Sequence, residues 1–169
     1  MNVTIEPAQR SDAEQILKLQ YVCFREEAAL YGDYDIPPLK QTNEELLAEY
    51  ESHCILVARC DGQVVGSVRA NKVGDRCQIG RLIVHPHMQR QGIGTRLMNA
   101  VESEFADVAC YELFTGSKSE GNLRLYRGLG YEPVRTQIVS PVLEMVFLEK
   151  PGRAKKNAAS AGGGVTPKS

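Results

Sequence analysis

A loop with two glycines stands between an apolar run and an amphipathic segment, and its residue types suit a phosphate-bearing ligand. Leu82-Ile83-Val84 predicts a buried strand, and Pro86 ends it because proline cannot continue a hydrogen-bonded ladder. Gln89-Arg90-Gln91-Gly92-Ile93-Gly94 follows and opens a helix predicted over 92–105. Unpaired N–H groups at a helix start attract anions, and glycine lets a ligand approach the backbone closely.

Two other glycine-rich nucleotide motifs fit this loop less well. The dinucleotide-binding fingerprint places a third glycine where this chain has Leu97. Its ribose-binding acid would correspond to Glu112, which has about the right spacing but falls early in its strand. A P-loop requires Gly-Lys-Ser/Thr, and none follows here. Leu97 and the lack of repeated βαβ units therefore disfavour a nucleotide-binding redox domain.

A second motif lies further along the chain. Leu125-Tyr126-x-x-Leu129-Gly130-Tyr131 is similar to a Leu-Tyr-x-x-Leu-Gly-Phe/Tyr block, and Gln89-x-x-Gly92-x-Gly94 matches a Gln/Arg-x-x-Gly-x-Gly/Ala loop. In this order, the two motifs resemble the GNAT superfamily of N-acetyltransferases over residues 2–149. The resemblance implies transfer of the acetyl group of acetyl-CoA (coenzyme A) to a primary amine of a small molecule, peptide or protein, directly in a ternary complex. A non-catalytic acyl-CoA-binding or sensor domain of the same fold is the alternative.

The resemblance also implies which residues hold the cofactor. Backbone N–H groups of residues 90–95 would bind the pyrophosphate, and main-chain amides of the apolar strand would face the pantetheine and polarise the thioester carbonyl. Ser119, otherwise a natural helix N-cap, or Asn122 would bond the pantetheine amide. The predicted cofactor-binding residues are Leu82, Ile83, Val84, Gln89, Arg90, Gln91, Gly92, Ile93, Gly94, Thr95, Ser119, Asn122 and Tyr126.

Two catalytic residues are predicted from the same resemblance. Tyr126 matches the family's tyrosine near the cofactor sulfur, which protonates the departing thiolate. A glutamate on the preceding strand serves as base in some relatives, but that position here is Phe114. Glu112 lies two residues earlier on the same strand face and is the candidate base, with an ordinary strand carboxylate or a water relay as the alternatives.

The end of the first helix predicts the class of acceptor. Tyr31, Asp33, Tyr34 and Asp35 lie in a segment that lines the acceptor side of the cleft in the family. An acidic rim of Glu26, Glu27, Asp33 and Asp35 would attract a cationic amine, and the flat tyrosine rings would pack against its carbon chain. A solvated helix end is the alternative interpretation.

Composition argues against several classes of partner. Residues 150–169 carry five basic residues and no acid, so residues 1–149 have a net charge of −6, which argues against nucleic-acid binding. No apolar run is long enough to span a membrane. Five cysteines without a C-x-x-C pair indicate reduced, mostly buried thiols in the cytoplasm. His85 and His87 lack convergent ligands, so no metal site is predicted. A homodimer is left open.

The elements that must position these residues predict one domain over 1–150. Capping boxes at Ser11–Glu14 and Thr42–Glu45 open two helices, and Asp61-Gly62 is a hairpin turn. The order β-α-α-β-β-β-α-β-α-β-β agrees with the fold that the resemblance implies, a single α/β domain with a mixed, mostly antiparallel central sheet flanked by helices on both faces. Residues 151–169, rich in Gly, Ala, Ser and Lys, predict a disordered tail.

Overall fold

The helices and strands follow the predicted order, with one added turn of α-helix and two short 3-10 turns, Arg10–Asp12 and Pro86–Met88. The computed structural model describes residues 2–154. The strands are β1 Val3–Pro7, β2 Cys54–Cys60, β3 Gln63–Val73, β4 Arg76–Val84, β5 Cys110–Gly116, β6 Glu132–Ser140 and β7 Leu143–Pro151. The helices are α1 Ala13–Tyr31, α2 Pro37–Lys40, α3 Asn43–Glu49, α4 Ile93–Glu104 and α5 Glu120–Gly128. The added turn, α2, begins with Pro37, whose fixed φ suits the start of a helix.

The sheet confirms the predicted fold class. Its strand order is β1-β2-β3-β4-β5-β7-β6, and every neighbouring pair is antiparallel except β4 and β5. That parallel pairing is short, because it joins Arg76–Gln78 to Cys110–Glu112 and then stops. Beyond Gln78, β4 is paired on its β3 side only. The two central strands therefore separate and open a gap in the sheet.

Helices cover both faces of the sheet, as predicted. On one face, α4 and α5 pack on a buried cluster that includes Leu97 and Met98, neither of which is exposed to solvent. On the opposite face, α1 and α3 contribute Ile16 and Leu46 to a second buried cluster. The cavity described below lies between elements from both layers.

The second predicted capping box is confirmed. Thr42 Oγ1 accepts a hydrogen bond from the Glu45 N–H at 3.2 Å, and Glu45 Oε1 accepts one from the Thr42 N–H at 2.9 Å. Two N–H groups at the start of α3 are thereby satisfied.

The first predicted capping box, Ser11–Glu14, is wrong. The chain makes a 3-10 turn over Arg10–Asp12, and α1 begins only at Ala13. Asp12 replaces Glu14 as the acceptor, and its Oδ2 receives the Gln9 N–H at 2.8 Å. The same carboxylate pairs with an arginine of β2, and this long-range contact fixes the helix start in a way that the local pattern does not reveal.

The last strand continues past the predicted domain boundary. After Pro151, the Gly152 N–H donates to the Ala109 carbonyl at 2.8 Å. A Cβ at Gly152 would lie 2.2 Å from the Val108 carbonyl oxygen, so this close approach requires glycine. The boundary at residue 150 stays a prediction, and the predicted disorder of the tail lies outside the described residues from 155 onward.

Cys60, Cys77 and Cys110 are buried, in agreement with the prediction that most of the thiols are buried. Between residues 2 and 154, no helix combines the length and the apolar character needed to cross a bilayer.

Candidate active site

A cavity of about 590 Å³ lies beside the end of β4, where that strand has left β5. Its walls come from α1, β4, the loop before α4, and the first turns of α4 and α5. Gln91, which is exposed, and Tyr126, which is buried, are not part of the lining. The structure brings the other predicted cofactor-binding residues together there, namely Leu82, Ile83, Val84, Gln89, Arg90, Gly92, Ile93, Gly94, Thr95, Ser119 and Asn122.

The loop before α4 has the geometry of an anion site. Arg90 and Gly92 both adopt left-handed backbone, with φ of +64° and +81°. Left-handed residues in a turn direct neighbouring N–H groups into one concavity that suits an anion. Gly92 is the N-cap of α4 and offers no side chain, so the first N–H groups of the helix are uncapped. Gln89 Nε2 donates to the Val84 carbonyl at 3.1 Å and ties the loop to the strand.

The main chain of β4 beside the cavity has one free edge. Ile83 and Val84 pair with Ser67 and Gly66 of β3, and among the described strands none pairs with them on the other side. Peptide groups held by one neighbouring strand are fixed in place before a ligand arrives. Such fixed donors can stabilise negative charge that develops on a reacting carbonyl oxygen.

Tyr126 carries a buried and protonated hydroxyl. The residue is 6% exposed, and its ring lies edge-on to Tyr131 with 6.0 Å between the centroids. Burial, reinforced by the negative charge of Glu27, raises the pKa of Tyr126 above its usual range. Within residues 2–154 its hydroxyl has no hydrogen-bond partner. Tyr126 can therefore hold a proton at any physiological pH and donate it to a strong base.

Glu27 lines the cavity from α1 and ends a chain of hydrogen bonds. The Lys118 N–H donates to the Tyr31 hydroxyl at 2.9 Å, which leaves that hydroxyl to donate to Ser119 Oγ, also at 2.9 Å. Ser119 in turn donates to Glu27 Oε1 at 2.5 Å. Every hydrogen bond in this series is donated in the direction of the carboxylate, so the series holds Glu27 in one orientation. Its Oε2 has no partner among the described residues and can accept a proton.

Ser119 and Asn122 reach the cavity through different contacts. Ser119 stands at the N-cap of α5 but makes no side-chain cap, because its hydroxyl is directed to Glu27. Asn122 Nδ2 donates to Thr115 Oγ1 at 3.2 Å. The amide oxygen of Asn122 keeps its acceptor capacity for a ligand N–H group.

Glu112 lies outside the cavity, in a cluster of charges. Its Oε2 accepts from Arg76 Nη2 at 3.1 Å, and its Oε1 accepts from Gln78 Nε2 at 3.3 Å. Arg76 also pairs with Glu149. The hydrogen bond from Arg76 holds the pKa of Glu112 below its usual range, which makes this carboxylate a weak proton acceptor. Its role as a base stays a prediction.

The four residues predicted for the acceptor are also absent from the cavity lining. Tyr31 is buried, and Tyr34 is 59% exposed. Asp33 Oδ1 accepts from the Asp35 N–H at 2.9 Å, and Asp35 pairs with Lys40 at 2.5 Å. The structure therefore does not gather them around one space, and their part in binding stays a prediction.

A thiol also faces the cavity, but its chemistry is inert. Cys23 Sγ donates to the Val84 carbonyl at 3.3 Å, and burial raises the pKa of this thiol to about 12. Residues 2–154 contain no cluster of His, Cys, Asp or Glu placed to hold a metal ion. The two histidines after β4 contact each other instead, since the His87 N–H donates to His85 Nδ1 at 3.1 Å.

Sequence reasoning did not assign Phe24 to the site, placed Glu27 only in the acidic rim of the acceptor side, and did not assign Arg124, although all three line the cavity. A signal was present for the first two. Gln20, Phe24, Glu27 and Tyr31 recur at helical spacing, so they share one face of α1. Two of these residues, Gln20 and Glu27, are polar. Polar residues on a helix face that packs against other elements indicate a site that holds charge within the fold.

Solved structures share this fold. PaiA N-acetyltransferase from Thermoplasma acidophilum, in complex with coenzyme A, has a TM-score of 0.76 at 17% identity, covering 89% of this chain and 99% of that one. The ribosomal-protein-S18-alanine N-acetyltransferase from Escherichia coli gives 0.73 at 16% identity, covering 89% and 94%. The structure of yncA from Salmonella typhimurium, with its cofactor acetyl-CoA, gives 0.72 at 19% identity, covering 89% and 94%. At these identities the likeness shows the fold alone.

Sequence comparisons extend the likeness. The UPF0157 protein YqkA of Bacillus subtilis (strain 168) is 27% identical over 124 residues, which make up 73% of this chain. The chain spans 36% of the length of that relative. The model of the acetyltransferase (GNAT) family matches residues 13–131, a range that contains every residue lining the cavity. The chain therefore belongs to the acetyltransferase (GNAT) family.

Proposed function

We propose that this chain is an N-acetyltransferase that moves the acetyl group of acetyl-CoA to a primary amine of a small molecule, peptide or protein. One observation carries the proposal. A single cavity is lined by an uncapped helix start, a free strand edge and the carboxylate of Glu27, and Tyr126, on the same helix as the lining residues Asn122 and Leu125, carries a protonated hydroxyl. These groups supply anion binding, carbonyl polarisation, a proton acceptor and a proton donor.

The charges of the cavity suit coenzyme A on one side and an amine on the other. Arg90 and Arg124 line it from the loop before α4 and from α5, whereas Glu26 and Glu27 line it from α1. Guanidinium groups and an uncapped helix start attract phosphates, and carboxylates attract an ammonium group. The coenzyme A bound to PaiA and the acetyl-CoA bound to yncA support the same cofactor here.

Acetyl-CoA supplies the thioester, whose carbonyl carbon bonds to the amine nitrogen as its C–S bond breaks. Glu27 takes a proton from the acceptor, which frees the nitrogen lone pair for attack. N–H groups at the free edge of Leu82–Val84 hold the negative charge that develops on the carbonyl oxygen. Tyr126 gives its proton to the departing thiolate. The nitrogen loses its second proton as the amide forms, this proton returns to Tyr126 through solvent, and Glu27 releases the first proton to water. Glu112 or a water relay is the alternative base.

Direct transfer in a ternary complex is favoured over a cysteine-bound intermediate. Cys23 lines the cavity, but its thiol has a pKa near 12 and donates to a backbone carbonyl. A thiol in this state supplies almost no thiolate at neutral pH, and the thiolate is the nucleophile.

The alternative, a non-catalytic acyl-CoA-binding or sensor domain, would need the cofactor site alone. Glu27 and Tyr126 add a proton acceptor and a proton donor that binding does not require. A sensor would bind acetyl-CoA and release no thiol with any acceptor.

The proposal is tested by thiol release from acetyl-CoA over a panel of polyamines, amino acids, aminoglycosides, amino sugars and peptides. We expect acetyl-CoA to bind in calorimetry and at least one amine to accelerate thiol release. Binding without acceleration across the panel would favour the sensor, and the absence of binding would refute both.

An acceptor whose amine is cationic, with Tyr31, Asp33, Tyr34 and Asp35 near the path of that amine, stays part of the proposal. Asp33→Asn and Asp35→Asn should raise the KM of such an acceptor. An unchanged KM in both variants would exclude these carboxylates from acceptor binding.

A cytoplasmic location and a homodimer remain predictions, and sedimentation of the purified protein tests the homodimer.

A further inference from the structure

Of the arginines within residues 2–154 that are wholly or partly buried, one lacks an acidic partner. Arg59 pairs with Glu6 and Asp12, Arg69 pairs with Glu49, and Arg76 pairs with Glu112 and Glu149. Arg81 is partly buried and makes no hydrogen bond or ion pair with any described residue. Its Nε is fully buried and unpartnered. The Nε of Arg81 has therefore lost hydration without gaining a hydrogen-bond partner, and the guanidinium has no counter-ion among the described residues.

The nearest negative charge is already in use. Glu49 attracts Arg81, but its Oε1 accepts from Arg69 Nη1 at 3.1 Å and its Oε2 accepts from Gln41 Nε2. Arg69 itself is 2% exposed and repels Arg81. Arg69 and Gln41 thus occupy this carboxylate, and the partly buried Arg81 is left without a paired acid among the described residues.

The backbone at Arg81 is also held in an unusual state. Its φ is +51°, in the left-handed region that β-strand residues avoid. The pairing of β4 with β3 shifts register at this point, between Ser67 and Arg69 of β3. Among described residues other than glycine, only Asp61, in a hairpin turn, and Arg90, in the anion loop, share a positive φ. Strain of this kind persists where the surrounding structure enforces it, and it collects at functional sites.

The Arg81 side chain lies toward α1, near a residue of the cavity wall, but Arg81 itself does not line the cavity. Its guanidinium carbon stands 6.0 Å from the centre of the Phe24 ring, and Phe24 lines the cavity. Glu27 is three residues further along α1, so it neighbours Phe24 on one helix face. Phe24 therefore lies close to the unpaired guanidinium of Arg81 and lines the same cavity as the carboxylate of Glu27, although Arg81 itself is not among the lining residues.

We propose that Arg81 binds a carboxylate of the acceptor, so that the acceptor is an amino carboxylate, a small molecule with a primary amine and a carboxylate. The inference rests on the proposed acetyl transfer and names its substrate class. The ammonium group of such a zwitterion is attracted by Glu26 and Glu27 before it is deprotonated, and its carboxylate supplies the missing partner of Arg81. Guanidinium and carboxylate form paired, charge-assisted hydrogen bonds in this arrangement.

Matched acceptors test the proposal in the wild-type protein. Thiol release is measured with L-amino acids, with the amides of the same amino acids, and with the corresponding amines that lack the carboxyl carbon. A charge-assisted contact predicts that the best amino acid exceeds its amide in kcat/KM by about 10–100-fold. A best acceptor without a carboxylate, or equal kcat/KM for acid and amide, overturns the proposal.

Variants then assign the preference to Arg81. Arg81→Met should raise the KM of the amino acid about 10–100-fold and leave the amide unaffected, whereas Arg81→Lys should retain part of the preference. Arg10→Gln, which removes an exposed arginine paired with Glu51, is the matched control. If Arg81→Met still prefers the amino acid over its amide as acceptor, the assignment of this preference to Arg81 is overturned. If Arg81→Met does not fold, the wild-type comparison still decides.

A binding measurement distinguishes failure of this inference from failure of the proposed function. Calorimetry with N-acetyl amino acids and their amides measures the carboxylate preference without any turnover. Failure of acetyl transfer with a retained preference would refute the proposed function alone. Acetyl transfer to amines without any preference would refute the carboxylate site alone.

Discussion

Ser119 donates a 2.5 Å hydrogen bond to Glu27, and this contact joins two elements that are 92 residues apart in the chain. Glu27 lies on α1, and Ser119 precedes α5. The orientation of the carboxylate in the cavity therefore depends on the docking of α1 against the start of α5.

Glu27→Gln should lower kcat by about 10²–10⁴-fold, because the amide cannot take a proton from the acceptor. Acetyl-CoA affinity should stay near the wild-type value, since the cofactor contacts come from other elements. Steady-state thiol release and calorimetry measure the two quantities. Unchanged turnover would remove Glu27 from the mechanism.

Glu112→Gln is the matched comparison for the two candidate bases. Glu112 is bound by Arg76 and Gln78 outside the cavity, so its loss should reduce stability and leave kcat nearly unchanged. Thermal melting and thiol release measure the two effects. The reverse pattern, with turnover lost in Glu112→Gln and retained in Glu27→Gln, would make Glu112 the base.

Tyr126→Phe should lower kcat by about 10²–10⁴-fold with little change in acetyl-CoA affinity, because the hydroxyl acts on the departing thiolate. The pKa of Tyr126 is raised by burial and by Glu27, so its proton stays in place as pH rises. The wild-type kcat should therefore show no alkaline decline up to the usual tyrosine pKa of about 10. A decline centred below pH 9 that disappears in Tyr126→Phe would contradict this state of the hydroxyl.

Local sequence signals were sufficient to place the segments of the proposed cofactor side next to one another. The strand at Leu82–Val84, the loop at 89–94 and α4 follow one another in the chain, so their spacing alone places them together. Apolar periodicity predicted the strand and the helix, and the glycine pattern predicted the uncapped helix start.

Long-range contacts account for what the sequence did not reveal. Arg76 pairs with Glu112 across the short parallel contact of β4 and β5, a contact that periodicity does not encode. Glu27 enters the site because α1 packs across the sheet, and the unpaired state of Arg81 depends on Glu49 being held by Arg69. Such pairings follow from the tertiary fold, which local patterns do not specify.

Gly92→Val and Gly94→Val should each abolish acetyl-CoA binding in calorimetry. Gly92 has a φ of +81°, which valine strongly resists, so the anion loop should change shape. A Cβ at Gly94 would lie 3.3 Å from Leu125 Cδ2, so that variant should also lose stability. Gly128→Ala, in open space on α5, is the control and should bind normally. Wild-type affinity in both valine variants would remove the loop from the cofactor site.

Gly116→Ala should disturb the hydrogen-bond chain that ends at Glu27. The added Cβ would lie 2.0 Å from the Tyr31 hydroxyl, so the ring must move away from Ser119. We expect a stability loss of about 1–3 kcal/mol, as for other overpacked sites, together with reduced kcat. Adding Tyr31→Ala should make the double variant less unstable than the sum of the single changes. Additive losses in denaturation experiments would show that the two residues do not collide.

Asp12→Asn should destabilise the fold in a pH-dependent way. Burial opposes the charge of Asp12, but hydrogen bonds from Arg59 and from the Gln9 N–H outweigh it, and the net pKa lies below its usual value. A carboxyl whose folded pKa is depressed stabilises the protein above its unfolded pKa of about 4, and this contribution is lost as pH falls through the folded value. At pH 7 the free energy of unfolding of the variant should be lower than that of wild type by about 2 kcal/mol. This loss is smaller than the loss expected when a fully buried ion pair is broken. The difference in unfolding free energy between the variant and wild type, measured by urea denaturation, should become smaller between pH 5 and pH 3. Glu14→Gln, which breaks an exposed pair with Lys18, is the control and should change little at either pH. If the difference in unfolding free energy between Asp12→Asn and wild type stays constant over this range, the charge of Asp12 does not act through Arg59.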